Sequence, residues 1–186
     1  MTVVGVVGFN GSGKDEVVNY LHQKYEVPLI SVGDIVREIA EEEGKGATRD
    51  NLDEITRRYF AQYGQGYFLK LVIDKIRRNK WDSAGISGIR SPEDVRALKK
   101  AFKDDFILVH IFVTDPRVRY QRMQTRGSQR DLITYADFLR QDQVSLDLFR
   151  IHEVIDMSDI SIANDGTLDD IRRRIDGLVK AGKLPR

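Results

Sequence analysis

The chain has 186 residues, of which 32% are charged, with a formal net charge of +1 and no cysteine. That length suits one domain with a full core, and the charge balance leaves no bulk basic excess to recruit nucleic acid or an anionic membrane. The absence of cysteine excludes disulfides and thiolate zinc sites, and no apolar run is long enough to span a bilayer, so a cytoplasmic protein is expected.

Val3, Val4, Val6 and Val7 form a short β-branched run, the pattern of a strand buried on both faces. Gly8-Phe9-Asn10-Gly11-Ser12-Gly13-Lys14-Asp15 follows, with the spacing G-x-x-x-x-G-K. Val17, Val18, Leu21 and Tyr25 then fall on one side of a helix that starts near Gly13. A glycine loop between strand and helix is the setting of a phosphate-binding P-loop. Its amides turn inward, the helix N-terminus adds positive character, and Lys14 reaches the β- and γ-phosphates. The expected ligand is therefore a nucleoside triphosphate, held by Gly8, Asn10, Gly11, Ser12, Gly13, Lys14 and Asp15. Asp15 stands where a Ser or Thr is usual.

Val27 to Ile30 is a second apolar run, and Ser31-Val32-Gly33-Asp34 leads into a helix carrying Ile35, Val36, Ile39 and Ala40. After a loop at Gly44 to Thr48, the pattern is helical to Asn79 with a break at Gly64-Gln65-Gly66. Residues 31–80 thus read as a helical insertion between strands two and three. Its aromatic residues Tyr59, Phe60, Tyr63, Tyr67 and Phe68 suit core packing, or a surface for a base or an interface. Ala84 to Ser87 is a third strand, and Ser91-Pro92-Glu93-Asp94 is a helix start with cap, proline and first-turn acids. Phe106 to Val113 is the clearest central strand, interrupted by His110.

Asp115-Pro116 opens a helix with Arg119, Arg122 and Arg126, and Thr134 caps another with Tyr135, Phe138 and Leu139 inward. Asp159 to Ala163 alternates as a fifth strand. Asn164-Asp165-Gly166 is a turn, and Thr167 starts a last helix with Leu168, Ile171, Ile175 and Leu178 on one face. Strands alternating with helices imply a five-stranded parallel sheet covered on both sides, a three-layer α/β sandwich in a single domain spanning 1–186. Each strand end after the first supplies a cation: Arg37, Arg90 and the arginine helix. Arginine forks hold phosphate oxygens bidentately, and convergent cations are what phosphoryl transfer between two anions requires.

With those residues in view, the chain resembles nucleoside monophosphate kinases and the adenylate-kinase-related and dephospho-CoA kinase-like P-loop proteins. Ser31-Val32-Gly33-Asp34-Ile35-Val36-Arg37 is similar to the S-T-G-D-L-L-R stretch of adenylate kinases, which implies an acceptor-phosphate role for Arg37, with Asp34 in the same cleft. Val32 replaces the family threonine. Ser87-Gly88-Ile89-Arg90 resembles the D-G-I-R strand end, making Arg90 the second acceptor candidate. Residues from about 115 to 135 resemble a short lid, with Arg119, Arg122, Arg126 and Arg130 as candidates; Arg122 and Arg126 carry the catalytic assignment with Lys14. Ser161 to Leu168 resembles the family's last strand and N-x-G-T-L turn, which implies Asn164 beside the donor adenine.

The resemblance implies ATP with Mg2+, and transfer of the γ-phosphoryl group to a small phosphorylated acceptor, a nucleoside or deoxynucleoside monophosphate. Transfer to a hydroxyl, as in dephospho-CoA kinases, and a nucleotide-binding regulator with little turnover are the alternatives. The family's magnesium-ligating hydroxyl after the lysine and its acid at the end of strand three are absent here. Asp15 is the candidate metal ligand, compensating for Ser87. Small-molecule nucleotides are the expected partners, without nucleic acid or membrane, and the sequence assigns no oligomeric state.

Overall fold

The computed structural model describes residues 1–64, 66–126 and 134–186. Among them, strands β1 (Thr2–Val7), β2 (Leu29–Ser31), β3 (Ser83–Ser87), β4 (Phe106–Phe112) and β5 (Ile160–Ala163) form one all-parallel sheet in the order β2-β3-β1-β4-β5. β1 is central, paired with β3 on one side and β4 on the other. The connections reverse direction across the sheet there, so the glycine loop leaves β1 at the switch point where ligands of such sheets bind.

Alternation along β1 divides the core into two layers. Val3 and Val7 face a cluster containing Ile35, Ile39, Phe68, Val72, Leu98 and Val154. Those residues come from α2 (Val32–Glu42), α4 (Tyr67–Arg78), α5 (Pro92–Phe102) and α8 (Ile151–Asp156). Val4 and Val6 face a second cluster with Val17, Leu21, Ile171 and Ile175 from α1 (Lys14–Tyr25) and α9 (Leu168–Lys180). The insertion is helical, with α3 (Arg49–Tyr63) and α4 separated at the expected glycine turn. Its aromatic residues pack on one another, with Tyr63 and Tyr67 stacked at 4.4 Å between ring centroids.

Helix starts follow local chemistry. Ser91 and Thr167 each close a reciprocal capping box, with Asp94 and Asp170 respectively. Ser31, rather than Asp34, caps α2 by accepting from the Gly33 amide at 3.1 Å. Two apolar assignments do not hold: Leu139 on α7 (Tyr135–Phe149) is 42% exposed and Leu168 is 49% exposed. Leu168 sits at the outermost turn of α9, before the helix has rotated onto the sheet. The separate helix α8 was not expected, because Arg150, at φ 49°, breaks an otherwise helical pattern without any glycine or proline. β2 starts at Leu29 because Pro28 has no amide to donate, though its carbonyl accepts from Gly85 at 2.8 Å.

Leu98 is fully buried while Leu139 faces solvent. Leu98→Ala is expected to cost about 2–5 kcal/mol of stability and Leu139→Ala no more than about 0.5 kcal/mol, measured by urea unfolding.

Candidate active site

The glycine loop is built from backbone choices that only some residues permit. Gly11 and Gly13 have φ of 77° and 87°, a left-handed conformation that side chains rarely adopt. Space is closed as well: a Cβ on Gly11 would strike the Arg119 carbonyl, and one on Gly13 would strike the Asn164 side-chain amide. Gly13 is also the N-cap of α1 and offers no side-chain cap. The first amides of α1 are thereby left for an external anion.

Lys14 begins α1 and is half-buried. Desolvation is the main cause that lowers its pKa from the ordinary 10.5. Asp15 opposes that shift, while Arg90, Arg126 and Arg119 add to it. Lys14 thus lies in the combined field of Arg90, Arg126 and Arg119, a field that a polyphosphate would neutralise. Ser12 is buried, and its hydroxyl has no hydrogen-bond partner among the described residues. A half-buried, desolvated ammonium, an unpaired Ser12 hydroxyl and the uncapped start of α1 fit the phosphates of a nucleotide.

The ends of β2 and β3 are followed by Arg37 and Arg90. Arg37 folds back over Gly33 at the start of α2, its guanidinium about 3.7 Å from where a Gly33 Cβ would lie, and pairs with Asp34. Arg90 follows β3, and its guanidinium lies 5.5 Å from the ring centroid of Phe149. Arg90 also donates its backbone amide to Asp94 at 3.1 Å, which ties it to the start of α5. Asp15 is exposed in the first turn of α1, and Ser87 is buried at the end of β3. No group of three or more metal-ligating side chains comes together among the described residues. Magnesium held mainly by phosphate oxygens and water needs only one or two carboxylates, so Asp15 alone fits that role.

The arginine helix α6 (Pro116–Arg126) is where expectation and structure part. Arg119, expected over the transferring group, is instead buried. It donates bidentately to Asp142 at 3.2 and 2.5 Å and to the Asn10 carbonyl at 3.1 Å. Its guanidinium lies 5.2 and 4.9 Å from the ring centroids of Phe9 and Phe138. Arg122 donates to the Asn164 and Gly166 carbonyls at 2.8 and 2.9 Å, so its fork is engaged by the turn after β5 and not directed at Lys14. Asn164 itself donates its side-chain amide to the Ser12 carbonyl at 2.8 Å, supporting the loop from behind. Arg126 remains among the cations that act on Lys14. Arg130 lies outside the described residues.

Asp142 and Phe149, both on α7, were not legible as site residues. Their partners are 23 residues away or more, and in sequence they look like ordinary helix positions. A cavity of about 390 Å³ opens beside the same turn, lined by Asn164, Asp165, Gly166, Asp170 and Arg174 among others.

Burying the Lys14 ammonium opposes folding wherever Lys14 is charged in both states. With its folded pKa below 10.5, the unfolded chain binds more protons between the two values, so this penalty fades as pH rises through that window. Lys14→Met is therefore expected to raise the melting temperature of the ligand-free protein at pH 7, with a smaller gain near pH 10.5. The same variant should lose the stabilisation that ATP confers on the wild type, both readouts coming from thermal-shift measurements.

The AAA domain family model matches residues 7–138, from the end of β1 into α7. A UPF0200 protein of Pyrococcus horikoshii is 32% identical over 179 residues, covering 95% of this chain and 95% of its own. In solved structures, shikimate kinase from Bacteroides thetaiotaomicron superposes with a TM-score of 0.62 at 14% identity, covering 96% of this chain and 98% of that one. A gluconokinase from Sinorhizobium meliloti does so with a TM-score of 0.59 at 17% identity, covering 97% and 93%. These likenesses establish the fold of P-loop kinases. With that fold, a glycine loop at the switch point and a relative aligned end to end, the chain belongs to the UPF0200 family and carries its AAA-type P-loop domain.

Proposed function

We propose that the protein is an ATP-dependent phosphotransferase acting in the cytoplasm on a small phosphorylated acceptor, a nucleoside or deoxynucleoside monophosphate. The convergence of Lys14 with Arg90 and Arg126 carries this reading. A single bound triphosphate would be served by the loop and Lys14. Arg90, and Arg37 beyond it, are suited to a second anion held end to end with the first.

In this reading Gly8, Asn10, Gly11, Ser12 and Gly13 cradle the donor phosphates, and the cavity beside Asn164 accommodates the base. Lys14 and Arg126 draw off charge as the bond between the γ-phosphorus and the β–γ bridging oxygen breaks. An acceptor phosphate oxygen, held by Arg37 and Arg90, forms the new bond to phosphorus, and ADP leaves. Such an acceptor is already anionic, so no general base is needed. Mg2+ would be held by Asp15, and its contribution is to neutralise charge on the donor phosphates.

A second reading, transfer to a hydroxyl of an anionic acceptor, draws on the pairing of Asp34 with Arg37. There Arg37 would hold the anion and Asp34 would take the hydroxyl proton. Shikimate kinase and gluconokinase, whose fold this chain shares, are named for acceptors of that kind.

ADP formation should be measured with Mg-ATP across ribo- and deoxynucleoside monophosphates, dephospho-CoA, phosphomevalonate, shikimate and gluconate. Acceleration by a monophosphate, with Arg37→Ala and Arg90→Ala each raising its KM about 10- to 100-fold at unchanged ATP affinity, is expected. Acceleration confined to the hydroxyl acceptors and abolished by Asp34→Asn selects the second reading. Tight ATP binding with no accelerating acceptor makes the protein a nucleotide-dependent regulator. If Asp15 substitutes for an acid at Ser87, Asp15→Ser should lose magnesium-dependent turnover and the double variant Asp15→Ser, Ser87→Asp should regain it. Additive losses would argue against the exchange.

A further inference from the structure

The residues that touch the glycine loop from outside hold its carbonyls, and this has a stereochemical consequence. In a trans peptide the C=O of one residue and the N–H of the next point in opposite directions. The chain has no cis peptide bond among its described residues. The Asn10 carbonyl is drawn outward by Arg119, so the Gly11 amide is turned the other way. The Ser12 carbonyl is drawn outward by Asn164, so the Gly13 amide is turned the other way in its turn.

Both pins are themselves fixed. Arg119 is neutralised by Asp142 through two hydrogen bonds, with their side chains 7% and 14% exposed, and its guanidinium is in contact with the Phe9 and Phe138 rings. Asn164 is buried, and its own carbonyl accepts from Arg122. Arg119 and Arg122 are three residues apart on α6, one helical turn, so a single helix face serves both pins.

We propose that Asp142–Arg119 and Arg122–Asn164 form a two-point clamp behind the glycine loop that preorganises the Gly11 and Gly13 amides for phosphate. Asp142 and Arg122 are positioning residues in this arrangement, acting through Arg119 and Asn164. The part played by the phosphate rests on the nucleotide-binding reading above, whereas the amide orientation does not.

The test uses the full chain. Asp142→Asn keeps side-chain shape but removes the charge that holds Arg119, and Asn164→Ala removes the other pin. In 1H–15N spectra of the ligand-free protein, Asp142→Asn is expected to shift the Gly11 amide and speed its hydrogen exchange, with Gly13 little changed. Asn164→Ala should do the reverse, and Asp142→Glu should restore Gly11 in part. Resonances of the central strands serve as the control for an intact fold. Calorimetry with Mg-ATP should show affinity falling about tenfold for each variant, the scale of one hydrogen bond. Glycine amides that stay at their wild-type positions in both folded variants overturn the clamp. Glycine amides that respond as described, in a protein whose wild type binds no ATP, support the clamp and overturn the nucleotide reading alone.

Discussion

The glycine-loop end of this molecule depends on holding the Lys14 ammonium, stripped of much of its water, at the start of the helix that follows the loop. That arrangement is unfavourable without an anion, because the charge is desolvated and further arginines press on it. The rest of the structure makes the cost bearable. β1 is paired on both edges and buried on both faces, so the loop leaves the most enclosed strand of the sheet. α1 packs Val17, Val18 and Leu21 beneath it, fixing the helix whose first amides complete the cradle.

The same economy explains why α6 lies where it does. An arginine helix so close to the glycine loop could have faced all its charges toward Lys14. Instead Arg119 is buried with its own carboxylate partner, and Arg122 is engaged by backbone carbonyls. Asp142 neutralises Arg119, and both arginines serve as scaffolding, one for the loop and one for the turn after β5. Arg90, Arg126 and Arg119 all act on Lys14, and Arg37 is joined to Asp34 at the start of α2. α7 joins the two halves, since it carries Phe138 and Asp142 at the loop and Phe149 against Arg90.

Much of this was legible along the chain. The β-branched run, the G-x-x-x-x-G-K spacing and the apolar face of α1 are local signals, and the structure reproduces them residue by residue. So are the caps at Ser91, Thr134 and Thr167, each followed three residues later by an aspartate. The placement of Arg37 and Arg90 on one edge follows from strand–helix alternation, because in a parallel sheet every strand ends on the same edge. The direction in which Arg119 and Arg122 point was not legible. Helical spacing shows that they lie on a related face, but which neighbour that face meets depends on chain 20 to 110 residues distant.

The sequence by itself determined the sheet-and-helix alternation, the position of the phosphate loop and the residues at each strand end. Those properties arise from periodicity and backbone permissiveness, which act over a few residues. Only the tertiary structure decided the strand order that places β1 at the centre, the burial that perturbs Lys14, and the pairing of Arg119 with Asp142. Each of those is a contact between segments remote in sequence. In such contacts, desolvation and geometry, not local preference, decide whether an arginine binds a ligand or holds the loop that does.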